Sequence, residues 1–185
     1  MRSILKKVIV SGLTLFAVSG TAYASSSSED KSGFYIVPKA VVVIGDTIMH
    51  HGHELDGDAG VGVGIDLGYS FNANYALELS ATHAEADVVE DGHVTDTAKY
   101  TTYGFNAVYT RNLVGHLGFL AKLGYGWEYE KMDKLHIKET LDGVTYAVGL
   151  EYGVAENMEV VFEVEGANVT SSRGESLLFG LKYKF

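Results

Sequence analysis

From residue 33 onward, large apolar residues and small or polar residues alternate with the period of two that a strand with two unlike faces imposes. Val61, Val63, Ile65, Leu67, Tyr69 and Phe71 alternate with Gly62, Gly64, Asp66, Gly68 and Ser70, and Tyr75, Leu77, Leu79 and Ala81 with Ala76, Glu78, Ser80 and Thr82. Thr101, Tyr103, Phe105, Ala107 and Tyr109 form a third row, opposed to Thr102, Gly104, Asn106, Val108 and Thr110. The longest row sets Leu117, Phe119, Ala121, Leu123, Tyr125, Trp127 and Tyr129 against Gly118, Leu120, Lys122, Gly124, Gly126, Glu128 and Glu130. Val144, Tyr146, Val148, Leu150 and Tyr152, then Met158, Val160, Phe162 and Val164, continue the pattern against Thr145, Ala147, Gly149, Glu151, Gly153, Glu159, Val161, Glu163 and Glu165. A last row, Leu177, Phe179, Leu181, Tyr183 and Phe185, opposes Leu178, Gly180, Lys182 and Lys184. With a first strand over 33–45 these make eight. There, Lys39 on the polar side sends Phe34, Ile36, Ala40, Val42 and Ile44 to the apolar side, and Pro38, which has no N–H for a ladder, predicts a bulge or a broken pair.

The connections alternate in length. Those at 72–74, 111–116 and 154–157 are short, whereas 46–59, 87–97, 131–142 and 168–174 are longer, polar, and expected to be loops. Short turns on one side and long loops on the other predict an all-β fold, an eight-stranded antiparallel up-and-down transmembrane β-barrel with both termini on the periplasmic side.

A soluble barrel with its apolar face inward shows the same alternation, so charge and side-chain size decide between them. An eight-stranded barrel is just wide enough for side chains to fill it. The polar face carries the charges among many glycines and the apolar face carries Trp127 and the large aliphatics, which fits lipid outside and a charged, crowded lumen. Tyr69, Phe71, Tyr75, Tyr109, Tyr152, Tyr183 and Phe185 near the short turns, and Tyr100, Tyr103, Trp127, Tyr129, Tyr146 and Phe179 near the long loops, are expected to form the two interfacial girdles.

The 22 Gly, 12 Tyr and 8 Phe beside one Pro agree with many strands, and the absence of Cys excludes disulfides and thiolate metal sites. Residues 1–24 read as a signal peptide: Arg2, Lys6 and Lys7, an apolar run over 8–18, and Ala22-Tyr23-Ala24 as a cleavage site. Residues 25–32 then form a short periplasmic segment and 33–185 the barrel domain. Loss of Arg2, Lys6 and Lys7 takes the formal net charge from -10 to -13, unsuited to binding nucleic acid. No later run is long and apolar enough for a membrane helix.

The signal peptide, GFYIVPKA, GVGIDLGYSFNANYALELSATH across the first short turn, and the terminal FGLKYKF resemble the small eight-stranded outer-membrane barrels of Gram-negative bacteria, the OmpA, OmpX and opacity-protein-like group. That resemblance implies location in the cell outer membrane, contact with its lipid and lipopolysaccharide, assembly by the barrel-assembly machinery with Phe185 as its signal, and a host or surface ligand at the loops. Its members include adhesins, anchors, weak pores and a few lipid-modifying enzymes. The chain ends with its last strand, so the peptidoglycan-binding domain of OmpA-type proteins is not expected.

Three sets of residues carry candidate chemistry. His50, His51 and His53, with Glu54, Asp56 and Asp58, could ligate a metal weakly, but their spacing matches no strict motif and a loop supplies no outer shell. Lys39, Lys122, Lys182 and Lys184 facing Asp66, Glu78, Glu128, Glu151 and Glu163 are expected to form an interior salt-bridge network that plugs the barrel. A deacylase would need Ser, His and acid together. Ser80 and His83 are predicted on opposite faces, with His116 at a short turn. The reading is therefore a non-enzymatic barrel without cofactor, structural or ligand-binding through its loops; a narrow porin-like channel and a lipid A-modifying enzyme are the alternatives. Deleting Phe185 is expected to lower the amount of folded barrel in outer-membrane fractions, and unchanged levels would contradict the assembly signal.

Overall fold

The computed structural model describes residues 32–50, 53–90, 93–169 and 171–185. The signal peptide, and all but Ser32 of the segment after it, lie outside the described residues. Ten strands follow: β1 (Gly33–Val43), β2 (Thr47–His50), β3 (His53–Gly57), β4 (Gly60–Ser70), β5 (Tyr75–Glu90), β6 (His93–Val114), β7 (Leu117–Met132), β8 (Ile137–Ala155), β9 (Met158–Ala167) and β10 (Ser176–Lys184). β1 and β4 to β10 pair antiparallel in chain order, and β10 returns to β1, which closes an eight-stranded barrel.

Closure follows from the solvent. Peptide groups in lipid have no water to bond, so a spanning sheet can leave no edge. Pro38 tests this rule. Against β4 it stays in register opposite Ile65, whereas the β10 ladder passes from Ile36↔Tyr183 to Lys39↔Gly180, with Val37 and Pro38 unbridged and the register unchanged across the gap. The missing N–H therefore breaks the pairing locally without a bulge.

Two of the short connections are shorter still than the sequence suggests. β6 and β7 meet at Gly115 and His116, and β8 and β9 at Glu156 and Asn157, each beside a register shift in the flanking ladder. The third is an Asx turn, in which Asn72 Oδ1 accepts from the amides of Asn74 (2.8 Å) and Tyr75 (3.0 Å).

The opposite end corrects the expectation of loops. Strand pairing continues through most of 87–97 and 131–142, with Val88↔Asp96 and Met132↔Ile137 near the tips, and within 46–59 the strands β2 and β3 pair antiparallel. β3 pairs with the top of β5 where β4 has ended. A six-stranded crown, β2-β3-β5-β6-β7-β8, thus stands above the barrel.

Side-chain polarity inverts where crown meets barrel. On β5 the outward residues change from Leu77, Leu79 and Ala81 to His83, Glu85 and Asp87, while the inward ones change from Glu78, Ser80 and Thr82 to Ala84, Ala86 and Val88. Water has replaced lipid outside, so the crown buries its apolar side: Val41, Val43, Leu55, Ala84, Ala86, Val88, Ala98, Tyr100, Met132, Ile137 and Leu178 form one core with Leu135 against it. Tyr100 is consequently no girdle residue. It shares the inward side of β6 with Ala98, is 1% exposed, and belongs to this core.

Below the crown the outer wall is apolar and open, with Leu123 62% exposed in the middle of β7. Leu123→Arg is expected to destabilise the barrel by about 2–4 kcal/mol, the range for arginine on a lipid-facing midplane site. Urea titration of the heat-modifiable band in lipid vesicles measures it, and a change below about 1 kcal/mol would place that face away from lipid.

Candidate functional site

The lumen side chains arise from the inward parity of each strand and meet in three tiers. In the middle tier one ammonium group, Lys122 Nζ on β7, lies 3.0 Å from Asp66 on β4, 2.5 Å from Glu78 on β5 and 3.0 Å from Glu163 on β9. Lys39 on β1 reaches the other oxygen of Asp66 at 2.7 Å, and the Tyr35 hydroxyl donates to Glu78 at 3.1 Å. Side chains from five strands are thus joined across the barrel axis. Gly68 makes room for this: a Cβ there would lie 2.0 Å from the Tyr35 ring.

Toward the short turns, Lys182 lies 3.1 Å from Glu151 and 3.2 Å from Glu159, with its ammonium 4.9 Å from the centre of the Tyr35 ring. Lys184 pairs with Glu159 at 2.6 Å and is the more exposed of the two lysines. Toward the crown, residues 171–175 turn inward instead of outward. Arg173 Nε lies 3.1 Å from Glu128 and its Nη2 3.2 Å from Glu165; Ser171 donates to Glu128, Ser172 donates to Glu130, and Ser172 also meets the Tyr100 hydroxyl at 2.7 Å.

Main-chain bonds hold that segment in place. The amides of Ile44, Gly45 and Asp46 donate to the carbonyls of Glu175, Arg173 and Ser172 at 2.8, 2.9 and 2.9 Å, and the Asn168 amide donates to Val144 at 2.8 Å. Gly45 (φ 83°) makes the bend; a Cβ there would lie 2.1 Å from the Gly57 carbonyl. Beside Arg173 a cavity of about 400 Å³ is lined by Asp46, Glu128, Tyr146, Val169 and Glu175 among others.

The nine residues of the predicted network therefore fall into three groups. Lys39, Asp66, Glu78, Lys122 and Glu163 meet in the middle tier, Glu151, Lys182 and Lys184 in the lower one, and Glu128 is drawn away to Arg173. Glu130, Glu159 and Glu165 were visible on the same polar side but left out of the network. Arg173 and its two serines carried no strand periodicity and lay in a segment read as an outer loop, so no local signal marked them.

Elsewhere, His51 lies outside the described residues, and His50 and His53 are described only by their backbone pairing across the β2–β3 turn. No group of three or more metal-ligating side chains gathers among the described residues. His83 points outward, 2.9 Å from the Thr101 hydroxyl and 3.9 Å from Glu85, while Ser80 lies within bonding distance of Asn106 on the lumen side. His116 faces the Tyr152 ring at the short-turn end.

A closed barrel with an apolar outer wall, charges confined to its lumen and unequal ends is built to span an outer membrane. Residues 11–185 match the outer membrane protein beta-barrel domain, and the chain belongs to that family, which places it in the outer membrane. No curated protein matches the sequence significantly. Among solved structures, the outer membrane protein OprG of Pseudomonas aeruginosa is similar at 14% identity and a TM-score of 0.66, covering 86% of this chain and 99% of that one. Neisserial surface protein A follows at 18% identity and 0.62, covering 83% and 98%. The attachment invasion locus protein Ail of Yersinia pestis, solved in complex with the heparin analogue sucrose octasulfate, is 19% identical at 0.55, covering 85% and 99%. At these identities the likeness is one of fold.

Removing one partner from a buried ion cluster leaves uncompensated charge and costs about 3–5 kcal/mol. Lys122→Met, which takes the cation from Glu78 and Glu163 and leaves Asp66 with Lys39 alone, is expected to destabilise by that amount, whereas Lys184→Met at the solvated mouth changes stability by about 1 kcal/mol or less. Urea midpoints of the two variants measured side by side test the ranking, and equal shifts would count against a central role for Lys122.

Proposed function

We propose that this protein is a non-enzymatic outer-membrane barrel whose ion-paired lumen is a closed support and whose extracellular crown binds a surface ligand. The observation that carries this reading is the open edge of the crown. β8 runs up to Ile137, but its ladder to β9 ends at Thr145↔Ala167, so residues 137–143 have no strand partner on that side among the described residues. β2 forms the other edge, paired with β3 alone. Unpaired main-chain groups at a sheet edge are a template for an added strand, a recurring way of holding extended peptides. The Ail barrel in complex with a heparin analogue supplies a precedent, on a similar fold, for a ligand-binding role.

The cavity beside Arg173 favours a second reading, a narrow channel opened when residues 171–175 swing out. The two are separated in planar bilayers. The reconstituted barrel is expected to show no steady conductance, and steady ion flow through the wild-type protein would support the channel. Trimming the β7–β8 hairpin to the level of Tyr129 and Thr140 is expected to lower adherence of displaying cells to a matrix-coated surface at least severalfold at equal outer-membrane levels. Unchanged adherence would remove that hairpin edge from the binding surface. The mass spectrum of lipid A from expressing cells is expected to stay unchanged, and a lost acyl chain would revive the enzyme alternative.

A further inference from the structure

At the foot of the crown, carboxylates outnumber the cations that could neutralise them. Asp46, Glu128 and Glu175 line the cavity of about 400 Å³ beside Arg173, which is the one cation among the described lining residues. That guanidinium is already shared: Nε lies 3.1 Å from Glu128 and Nη2 3.2 Å from Glu165. The lumen lysines pair in the tiers below. Asp46 Oδ1 accepts from the Thr47 amide at 2.8 Å, and neither Asp46 nor Glu175 has an ion-pair partner among the described residues.

The cavity has a rim and an inner end. Asp46, Tyr146 and Glu175 are exposed at the rim, whereas Glu128, Ser171 and Arg173 are buried at the inner end. Tyr146 supplies an aromatic wall, its ring lying across Gly166, where a Cβ would be 2.7 Å from it. A cavity in the size range of ligand pockets, bounded by excess carboxylates and an aromatic face, suits an organic cation.

The open edge of β8 leads to the same carboxylates. The Val144 carbonyl accepts from the Asn168 amide at 2.8 Å, so the main chain of Val144 faces the gap beside β8. Alternate residues of a strand turn their N–H and C=O groups the same way, so those of Asp142, Thr140 and Lys138 face that gap too. The β8–β9 ladder has ended by then, at Thr145↔Ala167. On the inner side of this edge, Leu141 and Gly143 line a smaller space of about 30 Å³ together with Glu128, Glu165 and Val169. A strand added along 138–142 would lie in line with β9, above Asn168, with the inward side chains of its lower end over the carboxylates.

We propose that the crown edge binds an extended basic peptide, its main chain paired with residues 138–142 and one inward Arg or Lys side chain lodged among Asp46, Glu128, Glu175 and the Tyr146 ring. In strand addition the main-chain bonds supply affinity and the pockets for alternate side chains supply specificity. This cavity is such a pocket. The proposal rests on the edge-binding role given above and adds the charge of the partner.

Fluorescence anisotropy of the barrel in phosphatidylcholine nanodiscs, with a short labelled β-forming peptide carrying a central arginine or its neutral isostere citrulline, separates the two parts. The arginine peptide is expected to bind about tenfold more tightly than the citrulline one. D46N/E175Q, which breaks no ion pair in the structure, should cut that preference to about twofold and leave the citrulline peptide unaffected. Equal affinity of the two peptides for the wild type, or an undiminished preference in D46N/E175Q, would overturn the proposal and leave edge binding standing. Binding of neither peptide would remove edge binding and this proposal with it. Complete displacement of the arginine peptide by an equal concentration of ethylguanidinium would make the cavity a small-cation site and overturn the peptide as its occupant. Displacement by Ca²⁺ but not by Na⁺ at equal ionic strength would assign the carboxylates to a metal ion, with the same result.

Discussion

Every other feature of this protein depends on pairing all the main-chain groups of a sheet that has no water beside it. In lipid an unpaired peptide group costs several kcal/mol, so the last strand must return to the first. The amide of Phe185 still donates to the carbonyl of Phe34 at 3.0 Å, and one interruption, at Val37 and Pro38, is tolerated with no change of register. Eight strands set the radius, and that radius sets the interior problem: the space is too narrow for large side chains from every strand and too wide to leave empty. Glycines beside long charged side chains solve it.

The same strands then pass from lipid into water, and the rule for their two faces reverses. Within the membrane the apolar residues face out because lipid is as apolar as they are. Above it the hydrophobic effect acts in its usual direction, and Ala84, Ala86, Val88, Tyr100 and Met132 turn their apolar surface inward as a core. A single strand such as β5 carries both patterns in sequence, with the change falling between Thr82 and Ala84. The crown therefore has an apolar core of its own.

The charged lumen links these two regions. Burying so many ions is costly, and each tier offsets the cost by sharing charges: Lys122 among three carboxylates, Lys182 between two, Arg173 between two. The upper tier has a further consequence, because Arg173 is brought in by a segment that also hydrogen-bonds to the base of the β2–β3 hairpin. Lumen closure and crown position are thus coupled through one short stretch of chain.

Local sequence determined the strands, their antiparallel order and the face of each residue, because a strand's alternation is a local property and lipid enforces it along every turn of the wall. Lys39, Asp66, Glu78, Lys122 and Glu163 were therefore legible as lumen residues. Their grouping was not, since the meeting of strands β1, β4, β5, β7 and β9 at one ammonium group depends on shear and closure. Residues 87–97 and 131–142 looked like loops because their alternation inverts and their outer face is polar, and Tyr100 was assigned to a girdle because an aromatic near a boundary fits either face. Arg173 had no periodicity at all. Tertiary structure decided its place, by folding residues 171–175 inward so that Arg173 meets Glu128 of β7 and Glu165 of β9, two carboxylates that only the closed, curved sheet brings to one side chain.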